Sequence, residues 1–120
     1  MSQLVVPSTI GQSLSKILKP YEQHIYLESV WIAGTSHVSL PDTLQKEEVL
    51  VFYREPKNEH DTYAVRIENQ AGEKVGYIPK KQNKPYARLM DAGKYLYGVV
   101  THLEQEGNWL RILMRIYLRD

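Results

Sequence analysis

The last strand-length segment of the chain, Trp109 to Leu118, alternates without a break. Leu110, Ile112, Met114, Ile116 and Leu118 fall on one side of an extended chain. Trp109, Arg111, Leu113, Arg115 and Tyr117 fall on the other. A two-residue period sustained this long does not suit a helix, whose apolar positions recur every three to four residues. It calls for a sheet with one buried face. The partner strands must come from the same 120-residue chain, a length that fits one domain with one core.

Candidate partners lie throughout. Ile25 to Ala33 and Val49 to Arg54 are rich in β-branched and aromatic residues, the first ending at Gly34 and the second following a loop marked by Pro41 and Asp42. In Tyr63 to Glu68, Tyr63, Val65 and Ile67 point one way and Arg66 and Glu68 the other. An Asn69-Gln70-Ala71-Gly72 turn then joins it to Lys74 to Pro79 as a hairpin. Lys94 to Leu103 pairs with the last strand around Gly107-Asn108. One helix is expected from Lys81 or Asn83 to Ala92, with Tyr86, Leu89 and Met90 as its apolar stripe and Gly93 as its C-cap. A second, short helix is expected near the N-terminus, capped by Ser8 or Thr9 and stopped by Pro20, with Ile10, Leu14, Ile17 and Leu18 on one face. The expectation is therefore a mainly β (α+β) chain. Residues 1–24 form a tail with a short helix, and 25–120 form a small, partly closed six-stranded β-barrel with one inserted helix.

Composition narrows the function. With no cysteine, thiol catalysis, disulfides and Cys-based zinc sites are excluded, which suits a reducing, cytoplasmic setting. No apolar run approaches the ~20 residues of a membrane helix, and Met1 to Ile10 lacks the pattern of a secretory signal. No membrane partner is expected. The four histidines, His24, His37, His60 and His102, lack an i, i+4 metal-binding pair. No phosphate-binding loop, nucleophile elbow or paired-carboxylate motif appears. The chain is expected to be non-catalytic, with no cofactor and no metal.

Net charge is only +1, but it is unevenly distributed. Asp42 to Gly72 holds seven acids and four Lys or Arg residues, whereas Glu73 to Lys94 holds six Lys or Arg residues against two acids. Such asymmetry focuses a phosphate backbone onto one side, or else marks a solvated helix surface.

The order Val30-Trp31-Ile32-Ala33-Gly34, Leu50-Val51-Phe52-Tyr53-Arg54-Glu55-Pro56-Lys57-Asn58-Glu59-His60-Asp61, Ala64-Val65-Arg66-Ile67 and Gly72 through Val75-Gly76-Tyr77-Ile78-Pro79-Lys80 resembles the HIRAN domain family. The likeness runs from about Ile25 to Leu118 and is strongest to bacterial proteins made of this domain alone. It implies an OB-like barrel and, from the best understood member, a grip on the 3′ end of single-stranded DNA. By position it implies Trp31 as platform for the terminal base and Asn58 as a loop contact. It implies His60 as a second ring, Asp61 as receiver of the free 3′-hydroxyl, and Tyr77 and Lys80 near the phosphates. Two departures stand out. Val30 replaces an arginine that reaches phosphate, and Glu59-His60 stands where that member has a tyrosine. Both imply weaker binding.

The residue chemistry suits this role. Every base has a π-face, so rings bind without reading sequence. An ionised carboxylate only accepts hydrogen bonds, so Asp61 welcomes a hydroxyl and repels a terminal phosphate. Lys80, Lys81 and Lys84 are placed to hold upstream phosphates and make binding salt-sensitive. Each also has a plainer role. Trp31 suits a core, Asn58 a turn, Asp61 an Asx or N-cap acceptor, and Tyr77 a half-buried strand position. Arg54 and Glu55 suit an internal salt bridge or bracket the turn before Pro56. The outward row Trp109, Arg111, Arg115 and Tyr117 is either a second stacking surface or an ordinary solvent face. The leading expectation is a module that recognises single-stranded DNA at its free 3′-hydroxyl, in repair or in defence against foreign DNA. The alternative is a barrel that dimerises or docks another protein through its N-terminal helix, with an inert DNA pocket.

Overall fold

A computed structural model describes residues 23–41 and 44–120. The helix expected between Ser8 and Lys19 lies outside the described residues. Six strands form: β1 (His24–Trp31), β2 (Val49–Glu55), β3 (Ala64–Glu68), β4 (Lys74–Tyr77), β5 (Tyr95–Glu106) and β6 (Trp109–Arg119). A 3-10 turn spans Thr35–His37, and one helix, α1, spans Asn83–Asp91. All pairings are antiparallel, in the spatial order β1-β6-β5-β2-β3-β4.

The expectation of a partly closed barrel needs correction, because the six strands make one open sheet. β4 is four residues long. Past Trp31 the chain turns at Gly34, whose φ is +78°, into the 3-10 turn. Only Ala33 is left to face the far edge. It makes one isolated bridge to Tyr77, with N–H···O distances of 2.8 and 2.9 Å in the two directions. Gly76 permits this approach, since a Cβ there would collide with the Ala33 carbonyl oxygen and sit 2.7 Å from Ile32 Cγ2.

Alternation sorts the sheet's two faces. Ile112, Met114 and Ile116 of β6 are fully buried, as their period demands, and join Val30, Ile32, Leu50, Phe52, Val65, Ile67, Val75 and Val100 in one core. Tyr86 and Ala87 of α1 press into that core, with Leu89 and Met90 half-buried beside them. The Tyr86 hydroxyl donates to Glu28 on β1, and burial together with this bond pushes it well above the usual tyrosine range. The helix ends as its glycine forecasts. Gly93 has a φ of +89°, its N–H reaches the Met90 carbonyl, and the Lys94 N–H reaches that of Leu89, a Schellman closure. Tyr63 departs from the expected alternation. It precedes β3 and is exposed, while Ala64 is buried.

Arg54 locks the site's side of the molecule. Its Nε and NH2 donate to the two Asp91 carboxylate oxygens at 2.9 and 3.2 Å. NH1 reaches the Ala64 carbonyl at 2.7 Å, and NH2 the Thr62 carbonyl at 3.0 Å. One guanidinium thus fixes β2, the end of the β2–β3 loop and the last turn of α1.

Candidate functional site

The β2–β3 loop is built from two successive side-chain turns. Asn58 Oδ1 accepts the His60 and Asp61 N–H groups at 2.8 and 3.2 Å. Asp61 Oδ1 then accepts the Tyr63 N–H at 2.9 Å. Short polar side chains favour such local bonds, which fix the loop without any helix or ladder. Asp61 Oδ2 accepts from Asn83 Nδ2 at 2.6 Å, tying the loop to the first residue of α1. A carboxylate offers about four lone-pair sites, so each Asp61 oxygen retains acceptor capacity beyond its one bond here.

Glu55 supports the same wall from behind. Oε1 accepts from Asn58 Nδ2 and from the Tyr77 hydroxyl, both at 2.9 Å, and Oε2 accepts from Arg66 at 2.6 Å. Burial alone raises the Glu55 carboxyl. The hydrogen bonds from Asn58, Arg66 and Tyr77, with the Arg66 charge, outweigh it and hold the group below the usual carboxylate range. Glu55 is therefore ionised at neutral pH and serves as an anchor for Tyr77 and Asn58.

Between this loop, the β4 edge and the start of α1 lies an open cleft of about 400 Å³. Asn58, His60, Asp61, Tyr77 and Lys80 all line it, so five of the expected site residues converge from two separate segments, 58–61 and 77–80. Ala33, Ala64 and Ile78 supply apolar wall. Lys74 and Asn83 line it too, and sequence reasoning missed both as site residues. Lys74 Nζ sits 4.5 Å from the Tyr77 ring centroid, so one face of that ring carries a cation. Lys81 and Lys84 do not line the cleft. Both are exposed, Lys81 just ahead of α1 and Lys84 on it, with Lys84 Nζ 5.3 Å from the Tyr63 ring centroid.

Trp31 is neither core nor cleft lining. It is 36% exposed, so part of its ring surface is accessible, and it lies two residues before Ala33 on the same side of the strand. Arg111 places its guanidinium 4.0 Å from the Trp31 ring centroid, and His102 meets the ring edge-on at 6.1 Å. Trp31 thus stands outside the set of residues that line the cleft with His60. Glu104 and Glu106 hold Arg111 over the ring, at 2.7 and 3.4 Å. Among the described residues no group of three His, Asp or Glu side chains is placed to hold a metal ion, and no helix is long and apolar enough to cross a membrane.

Among the described residues, an open antiparallel sheet of six strands, one helix packed on its core face, and a cleft of mixed polar and apolar lining at the helix start define a small β-type domain. The HIRAN domain model matches residues 25–119, and the chain belongs to the HIRAN domain family. A crystal structure of a protein from Lactobacillus plantarum is 30% identical, with a TM-score of 0.73 over 82% of this chain and 98% of that one. The crystal structure of the HIRAN domain of human HLTF is 20% identical, with a TM-score of 0.65 over 80% of this chain and 78% of that one. An NMR structure of the HLTF HIRAN domain is 19% identical, with a TM-score of 0.56 over 81% and 80%. The two HLTF structures speak for the fold alone. No curated protein matches.

Proposed function

We propose that this domain is a non-catalytic module that binds single-stranded DNA by its free 3′-hydroxyl end. The observation that carries the reading is the meeting, in one cleft, of the Asp61 carboxylate with the rings of Tyr77 and His60 and the ammonium of Lys80. The HIRAN likeness implies the same assignment. Asp61 accepts the terminal hydroxyl with the lone pairs that Tyr63 and Asn83 leave unused. Tyr77 and His60 flank the terminal base, and the Ala33 and Ile78 walls admit its apolar faces. Lys80 neutralises the adjoining phosphate, with Lys74 on β4 and Lys81 and Lys84 at the start of α1 extending the positive field. Trp31 offers a platform immediately beyond Ala33.

Fluorescence anisotropy with oligonucleotides ending in a 3′-hydroxyl or a 3′-phosphate tests this. The hydroxyl end is expected to bind at least about tenfold more tightly, since the phosphate places like charges together. Asp61→Asn keeps an acceptor for the Tyr63 N–H but removes the charge, so the preference should shrink towards parity. Equal affinity of the unaltered protein for both ends would sink the proposal.

A further inference from the structure

The opposite end of β1 carries an unusual surface. Tyr26 of β1 pairs in register with Tyr117 of β6, which pairs in turn with Tyr97 of β5. Tyr97 and Tyr117 stack with centroids 5.4 Å apart and planes at 14°, while Tyr26 meets Tyr117 at 6.0 Å. Tyr95 lies 6.1 Å from Tyr97 and carries the Arg119 guanidinium 4.3 Å from its ring centroid. Tyr26 and Tyr95 remain 52% and 50% exposed, which leaves both rings available to a ligand.

Beside the Tyr26 and Tyr117 rings is a notch of about 440 Å³ lined by those two residues with Ser29 and Arg115. None of the four is acidic. The Tyr26 and Ser29 hydroxyls bond each other at 2.9 Å, and each keeps further capacity. Arg115 is exposed and makes no hydrogen bond or ion pair among the described residues. Arg111, four residues earlier on the same row, is by contrast held by Glu104 and Glu106. One row of β6 therefore splits into an arginine committed to the fold and an arginine open to an anion.

Ser29, Trp31 and Ala33 lie on one side of β1 and its extension, so the notch and the cleft share a face. Four residues separate Ser29 from Ala33, roughly 13 Å at ~3.3 Å per residue. We propose that the notch holds a backbone phosphate of a single-stranded polynucleotide upstream of the end seated in the cleft. Tyr26 and Tyr95 are the stacking surfaces for the adjoining bases. The positional part of this proposal rests on reading the cleft as a strand-end site. A second copy of the chain is the weaker occupant. A two-fold contact would set this face against itself and bring the Arg115 side chains of the two copies towards one another.

The test uses the full chain with oligothymidylates of about three and about twelve nucleotides, one below and one within the ~4–16-nucleotide site sizes of OB folds, and an oligouridylate of the longer length. For Arg115→Ala, the ratio of long to short affinity should fall roughly tenfold, and the long strand's salt slope by about 0.7. Tyr26→Ala should lower the same ratio. Equal losses for DNA and RNA support a phosphate contact, and a loss confined to one overturns it. An unchanged ratio and salt slope overturn the notch outright. So does sedimentation in which Arg115→Glu abolishes self-association while oligonucleotide affinity holds. Asp61→Asn separates the two readings. If it alters neither oligonucleotide while Arg115→Ala still weakens the long one, the cleft fails and the phosphate notch stands.

Discussion

Around the cleft, polar side chains are tied to backbone and to each other. On the tyrosine face of β1, β5 and β6, side chains mainly meet one another's rings. Asn58, Asp61, Glu55 and Arg54 together satisfy backbone groups of the β2–β3 loop, the Tyr77 hydroxyl and the last turn of α1. Tyr26, Tyr95, Tyr97 and Tyr117 rest on a sheet already fixed by the β1–β6 and β5–β6 ladders. The contrast teaches where binding and folding are coupled. Under the proposed function, the cleft atoms that shape the loop are the ones that would face a ligand, so altering one would alter both. On the tyrosine face the two are separable.

Three stability measurements press on that contrast. Arg54→Ala should have the largest effect, about 2–4 kcal/mol by urea denaturation, because it leaves the Ala64 and Thr62 carbonyls without their charged donor. A loss below about 0.5 kcal/mol, the range of ordinary surface changes, would break the comparison from the cleft side. Glu55→Gln should act more mildly and through pH. The folded Glu55 carboxyl lies below its unfolded value near 4.5, so its contribution is fully present above that value. It is lost as pH falls through the lower, folded value. Denaturation midpoints across pH 2.5–7, an interval that spans roughly the carboxylate range, should show a flatter acid limb for the variant and a deficit at neutral pH. Parallel curves would remove Glu55 from its anchoring role. Tyr95→Ser should be the smallest, within about 0.5 kcal/mol. A cost comparable to that of Arg54→Ala would show that the tyrosine face holds the sheet together.

The parts legible in the sequence are those set by local rules. The β6 alternation predicted its buried triad, Gly93 predicted the end of α1, and the polar spacing of Asn58 and Asp61 predicted side-chain turns. Arg54 and Glu55 fill the internal ion pairs expected of them, with Asp91 and Arg66. What escaped depends on distant segments. Asn83 was visible as a helix start, but its burial against Asp61, 22 positions away, follows from how α1 lands on the loop. Lys74 enters the cleft because β4 is the sheet edge beside it. Trp31 invited a choice between core and platform, yet its partner is Arg111, brought there by the β1–β6 register. The open sheet was likewise hidden, since counting strands does not reveal that Gly34 turns the chain away one residue past Ala33.

The lone Ala33–Tyr77 bridge has a mechanical corollary. Both of its residues line the cleft, so the same two N–H···O bonds that cinch the sheet's free edges also set the width of the mouth. Spreading that mouth and unzipping that seam are one motion. The protection of these two amides from deuterium is accordingly a built-in gauge of whatever occupies the space between them.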